Sequence, residues 1–323
     1  MMRAAIAPLL LIGLAACATN DPPNVQVQNA CRLARVAEVP IESRGDMLFA
    51  QARIDNKPVT LLVDTGAERS LLTEATVNRL DLPRDYQHPT RTFGIGASSV
   101  EWNAELPSGL VMGGTRFPIE EVTVGHFDIA EIAGTSADGL LGADVLMAFD
   151  IDLDLPAQRM TFYLPRPACP DALPPWHQPY IAIDGVITRR DRLLVPFDLD
   201  GVAGMAVLDT GAQMSSISRR MAERVGLADV DMAADHLIMA HGAAPAEVKV
   251  RIHRFHDFRV GSTPLGALAM PIVPMSGNMG DALVGGNFLH GRRVWLSLST
   301  RRVFVTPLEQ GPLLAATGSA IAP

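Results

Sequence analysis

Apolar residues in this chain fall in short runs of about five to eight, broken by turn-forming residues, which is the pattern of strands rather than helices. Met47 to Ile54 and Leu193 to Leu199 read as strands of mixed alternation. Each is followed by a turn, at Asn56-Lys57-Pro58 or Gly201-Val202, and then by a wholly apolar strand. Those second strands end alike. Val59-Thr60-Leu61-Leu62-Val63 runs into Asp64-Thr65-Gly66-Ala67, and Gly204-Met205-Ala206-Val207-Leu208 runs into Asp209-Thr210-Gly211-Ala212. A further strand follows each acid, Ser70-Leu71-Leu72 or Ser216-Ile217. Next comes a short helix with Thr73 or Ser218 as N-cap. Val77 and Leu80 mark the apolar side of the first helix, Met221 and Val225 that of the second.

Farther along, Thr92 to Ser98 is an apolar segment with paired glycines, Gly94 and Gly96 around Ile95, and reads as a hairpin tip. Its counterpart, Met239 to Ala243, carries the pattern more weakly. Both halves then close in the same way. Gly142 and Gly285 open short helical turns, and Phe149 to Leu155 and Val294 to Leu298 read as strands. Turns at Pro156-Ala157-Gln158 and Ser299-Thr300-Arg301 lead to closing strands Met160 to Leu164 and Arg302 to Val305.

This is an internal repeat. Asp64 and Asp209 lie 145 positions apart, and Gly142 and Gly285 lie 143 apart, so small insertions and deletions separate the copies. Each copy spans about 125 residues, an ordinary domain size. Between them, Pro165 to Pro179 holds six prolines and is expected to be a stiff, extended linker. From Leu308 onward the chain is rich in Gly and Ala and reads as a loose tail.

Composition narrows the function. A chain of 323 residues with 48% hydrophobic and 19% charged residues is globular material for two domains. The net charge of −8 excludes a nucleic-acid surface, and no block of like charge marks another polyelectrolyte partner. At the N-terminus, Arg3 precedes an apolar run from Ala4 to Leu14, which suits a secretory signal and is too short to span a bilayer. Leu14-Ala15-Ala16-Cys17 resembles the lipobox of bacterial lipoproteins, in which the Cys carries lipid. Ordinary cleavage after Ala18 is the other reading, because Ala16-Cys17-Ala18 is also an Ala-x-Ala site.

With Cys17 lipidated, Cys31 and Cys169 remain, either as one disulfide or as two separate thiols. No Cys-x-x-Cys is present, and His236, His241, His253 and His256 lack metal-ligand spacing, so no metal is expected. Gly277 to Gly286 lacks the Lys-Ser/Thr of a phosphate loop, and no Ser sits in a nucleophile elbow.

Two copies of apolar strand-Asp-Thr-Gly-Ala, a glycine hairpin and two apolar residues before a distal Gly resemble the retropepsin-like aspartic proteases. The resemblance covers about residues 45–164 and 180–306. It implies a mainly β fold of two retropepsin-like lobes related by pseudo-twofold symmetry, with the active site at their interface and an internal pseudo-dimer within one monomeric chain. The layout expected is a signal peptide over 1–17, a tether over 18–36, a first lobe over 37–164, a linker over 165–179, a second lobe over 180–307 and a tail over 308–323. Asp64 and Asp209 would be catalytic. Thr65 and Thr210 would cross the interface, while Gly66, Ala67, Gly211 and Ala212 would shape the acid loops. Gly94, Ile95 and Gly96 would form a flap, and Gly142 and Gly285 would allow close packing behind the acids.

Two carboxylates about 3 Å apart share one proton, so one activates water and the other protonates the carbonyl oxygen, with no cofactor. Ala67 and Ala212 place no hydroxyl after Asp-Thr-Gly to stabilise the charged acids, which predicts an optimum nearer neutral than strongly acidic. Glu68 and Gln213 stand where they could bind substrate backbone. The Arg that in the family follows the distal Gly, and pairs with such an acid, is replaced by Ala143 and Gly286. Asp144 and Asn287 read as structural. The expected activity is peptide-bond hydrolysis in extended protein segments at the cell envelope, with a lipid-borne membrane anchor and the outer membrane favoured over the inner. A peptide-binding module of the same fold without turnover is the alternative, and a soluble periplasmic or secreted protein is the alternative location.

Overall fold

The computed structural model describes residues 33–93, 98–126, 137–165, 172–190, 192–240, 248–275 and 279–308. Cys17, Cys31, Cys169 and the hairpin-tip residues Gly94, Ile95 and Gly96 lie outside the described residues. The mainly β reading holds: strands dominate, and the described helices are short.

In the first half, Met47–Ile54 and Lys57–Val63 pair antiparallel through the tight turn Asp55-Asn56, whose φ values of 50° and 63° suit a two-residue hairpin. Lys57 and Pro58, expected in the turn, belong to the strand. Leu193–Leu199 and Val202–Leu208 repeat the hairpin around Asp200-Gly201. Each second strand then lies parallel to a three-residue strand far ahead in sequence. Leu61, Leu62 and Val63 face Gly139, Leu140 and Leu141, and Ala206, Val207 and Leu208 face Ala282, Leu283 and Val284. These short strands also pair antiparallel with Leu71–Thr73 and Ser216–Ser218. The acids therefore leave the ends of strands hydrogen-bonded on both sides.

The helices Glu74–Leu80 and Arg219–Arg224 are capped as expected: Thr73 Oγ1 accepts from Thr76 N and Ser218 Oγ from Met221 N. Val77, Leu80 and Met221 are buried, and Val225 is half-buried. In each helix an Arg near the C-terminus grips an Asp just before the short distal strand, Arg79 on Asp138 and Arg224 on Asp281. The strands flanking both glycine regions pair antiparallel, with Phe93 facing Ser98 and Ala240 facing Val248, while 94–97 and 241–247 lie outside the described residues.

The two halves share a sheet. Its order is Ile181–Asp184, Arg302–Val305, Arg293–Ser297, Asp150–Asp154, Arg159–Leu164, Ala34–Arg44. The junction is the antiparallel pair of Asp150–Asp154 with Arg293–Ser297, in which Ile151 faces Leu296. The strand Ala34–Arg44 was not expected, although Ala37, Val39 and Ile41 alternate into the core. The lobe boundary expected at 37 thus falls inside a strand, and the last residues of the expected tether belong to the sheet.

The proline-rich linker also departs from expectation. Over 172–179 it has no regular secondary structure and bends at Pro175, His177 and Gln178, with Ala172, Pro174 and Trp176 buried. Trp176 packs on Trp295 and Phe304, and its Nε1 donates to Asp152 Oδ2 at 3.3 Å. Arg293 forks onto the same carboxylate at 2.9 and 2.6 Å and lies over the Trp176 ring. The proline count alone does not reveal that burial. Trp295→Ala, which would empty the centre of this cluster, is expected to cost about 3–5 kcal/mol, measured as a lowered urea midpoint. A loss under about 1 kcal/mol would mean that the cluster does not hold the halves together.

Candidate active site

Each acid sits at a strand end, tied by its own backbone N–H to the short distal strand. Asp64 N donates to Leu141 O at 3.0 Å, and Asp209 N donates to Val284 O at 2.9 Å. The Thr-Gly-Ala that follows curls back so that its N–H groups meet the carboxylate. Asp64 Oδ1 accepts from Gly66 N and Ala67 N, both at 2.9 Å. Asp209 Oδ1 accepts from Gly211 N at 2.9 Å and Ala212 N at 3.1 Å. Two such donors fix the plane of each carboxyl group.

The threonines lock the two loops to each other. Thr65 Oγ1 donates to Leu208 O at 2.6 Å, and Thr210 Oγ1 donates to Val63 O at 2.6 Å. Each hydroxyl also accepts from the opposite threonine's N–H at 3.1 Å. All four bonds are buried, so each replaces a cost that an unmet polar group would incur. Asp64 and Asp209 hydrogen-bond to one another across this lattice. A Cβ added to Gly66 would lie 2.4 Å from Asp209 Cγ, and one added to Gly211 would lie 2.4 Å from Asp64 Cγ. Only glycine admits the facing acid at that distance.

A second layer braces the loops from behind. Ser70 N and Oγ donate to Asp144, and Ser215 N and Oγ donate to Asn287 Oδ1. The serine hydroxyls in turn accept from Gly142 N and Gly285 N. A Cβ on Gly142 would meet Arg69 C at 2.5 Å, and one on Gly285 would meet Ala212 O at 2.7 Å. Their φ values of −98° and −104° suit any residue, so the demand is for space and not for backbone freedom. Asp144 and Asn287 play the same bracing part with different charge.

Glu68 does not lack an Arg. Its partners come from the second half of the chain: Arg190 Nη1 lies 3.1 Å away and Arg192 Nη2 lies 3.2 Å away. Arg192 is buried, and its Nε also donates to Gly66 O at 3.0 Å. The position after the distal glycine holds Ala143 or Gly286, so the pairing Arg is supplied from elsewhere in the chain. The available signal was an Arg at the mouth of the strand Leu193–Leu199 where the first copy has Met47.

Burial raises both acids above the usual carboxylate range. For Asp64 burial is the largest effect, opposed by the N–H groups of Ala67 and Gly66, by Asp209 and by the charge of Arg192. For Asp209 burial and then the negative charge of Asp64 act together, pushing it up to about 8. At neutral pH Asp209 therefore keeps its proton, and the two facing carboxyl groups hold one proton between them. A carboxyl group raised in the fold adds stability fully present below its unfolded value near 4, and that stability is lost as pH rises through the folded value. Thermal midpoints should thus fall between about pH 5 and 9, and Asp209→Asn should flatten that slope. A wild-type slope no steeper than that of the variant would show that the pair is not strained by ionisation.

Such a dyad can take a proton from water at one carboxylate and give one to a carbonyl oxygen at the other. Among the described residues no group of three or more His, Cys, Asp or Glu stands close enough to hold a metal ion. His253 is instead paired with Asp235. A family model described as aspartyl protease matches residues 50–145 and again residues 195–288. No curated protein matches the chain.

Proposed function

Because this chain belongs to the aspartyl protease family, we propose that it is an endopeptidase that hydrolyses peptide bonds in extended protein segments. The observation that carries the reading is the reciprocal threonine lattice that holds Asp64 and Asp209 in hydrogen-bonding reach. Asp64 takes a proton from water as the water oxygen attacks the scissile carbonyl carbon, and Asp209 gives its proton to the carbonyl oxygen. Collapse of the tetrahedral species then breaks the C–N bond, the amine leaving with a proton from the dyad. The two lobes act as two halves of one site, and an extended peptide lies between them with its backbone paired to strand edges. The hairpin around Gly94, Ile95 and Gly96 closes over it and excludes water.

The N-terminal segment supports an envelope location. Lipid on Cys17, with 18–36 as tether, would hold the enzyme at the periplasmic face of the outer membrane. The test of activity is digestion of a peptide library, with cleavage sites read by mass spectrometry and with pepstatin as the transition-state analogue. Cleavage blocked by pepstatin is expected, and its absence over the library would remove the peptidase reading. A Cys17→Ser variant should leave the membrane fraction, and full retention there would contradict the anchor.

A further inference from the structure

The two halves of the site are alike in backbone and unlike in charge. Seventeen residues before Asp209 stands Arg192, and seventeen residues before Asp64 stands Met47. After Ala67 comes Glu68, and after Ala212 comes Gln213. The first acid loop is therefore gripped by a cation from the opposite lobe, whereas the matching place in the first lobe holds Met47, buried and uncharged.

Arg192 is 2% exposed, and its contacts are specific. Nε donates to the carbonyl of Gly66, and the N–H of that same peptide unit, on Ala67, donates to Asp64, so the guanidinium acts on the acid through a single peptide unit. Nη2 pairs with Glu68, and Nη1 is buried with no partner among the described residues. Arg190 and Arg192 both pair with the carboxylate of Glu68, and of the two only Arg192 is buried beside the loop of Asp64. Beside the second loop, Asp46 lies near Gln213 and Gly286 and pairs with His290 at 2.8 Å, both side chains exposed. A buried charge acts across low dielectric far more strongly than an exposed, screened pair.

We propose that Arg192 is a positioning residue that makes the dyad unequal, holding Asp64 as the carboxylate that activates water and leaving Asp209 to carry the shared proton. The proposal rests on the peptidase reading for its meaning, but its electrostatic content stands apart from turnover. In a dyad with matched surroundings the proton has no preferred side, and each carboxyl serves either role. Here the cation fixes the roles, and so fixes which face of the scissile bond meets the water. The direction agrees with the physical causes acting on each acid: the charge of Arg192 lowers Asp64 and is not among those acting on Asp209.

The test follows the carboxyl carbons of Asp64 and Asp209 by 13C NMR against pH in the full chain, with kcat/KM profiles taken beside them. Arg192→Met copies the other half and should raise the lower titration midpoint of the pair by about 0.5–1 pH unit. Arg192→Lys keeps the charge and should return most of that shift. Glu68→Gln leaves the guanidinium charge uncompensated and should move the same midpoint down. That opposite shift also decides the matter if Arg192→Met fails to fold. Where peptide is cleaved, the acidic limb of kcat/KM should move with the NMR midpoint, which a purely structural loss would not produce. Midpoints unmoved in both Arg192→Met and Glu68→Gln, or moved in the same direction, would overturn the proposal. Absence of cleavage in the wild type would instead overturn the peptidase reading, and the NMR midpoints would still judge Arg192.

Discussion

Asp64→Asn and Asp209→Asn are each expected to lower kcat/KM by about 10³-fold or more, with thermal stability at pH 7 kept or raised. An amide is nearly the same shape as a carboxyl group, and its oxygen still accepts from Gly66 N and Ala67 N, or from Gly211 N and Ala212 N. What it cannot do is take a proton from water or pass one on at neutral pH. The acid left behind has no partner to share with, so its own proton equilibrium also moves. Groups that act as one unit lose their effect together. The double variant should therefore be little worse than either single one, within about tenfold. Steady-state cleavage of a peptide found in the library digest measures all three. A single variant that keeps more than about a tenth of the activity would mean that the two carboxyl groups do not act as a pair.

Gly66→Ala and Gly211→Ala are expected to remove about 100-fold or more of the activity by another route. In each, the new methyl would start 2.4 Å from the opposite carboxylate carbon, well inside contact distance. Relief requires the facing acid to swing away or the loops to separate. Separation would stretch the bonds of Thr65 and Thr210 to Leu208 and Val63, which are buried and have no water to replace them. The expected result is a low kcat with a stability loss of about 1–3 kcal/mol from overpacking, read from the urea midpoint. Alanine at Gly201, where nothing crowds the added carbon, is the contrast for packing, although its φ of 84° carries a backbone cost of its own. That variant should keep its activity. Full activity in Gly66→Ala would show that the acids do not face each other as described.

Much of this site was legible because the chain states it twice. The Asp-Thr-Gly-Ala loops, the Thr73 and Ser218 caps and the paired Asp144 and Asn287 each appear at matching positions, and a repeat turns weak local signals into strong ones. Local periodicity also placed the strands Met47–Ile54 and Leu193–Leu199 to the residue. What the sequence hid was the choice of partner across long separations. Ile151 faces Leu296, and Arg192 reaches Gly66, because two folded halves come together; no window of the chain contains both members of either pair. The same holds for Trp176, read as part of a stiff tether because its neighbours are prolines. It is buried because Trp295 and Phe304 offer it an apolar bed. The strand Ala34–Arg44 does alternate, with Ala37, Val39 and Ile41 inward and Glu38, Pro40 and Glu42 outward, but Pro40 within the run argues against a strand on sequence alone.

The measurement that bears most directly on the shared proton is the pH dependence of kcat/KM for the wild-type enzyme on one peptide. A singly protonated pair predicts a bell near neutral pH. Its acidic limb should lie above the ordinary carboxylate value of about 4, and its alkaline limb should approach the raised value of about 8 at Asp209. A rate that peaks below about pH 4, or that shows no alkaline fall up to about pH 10, would contradict the account.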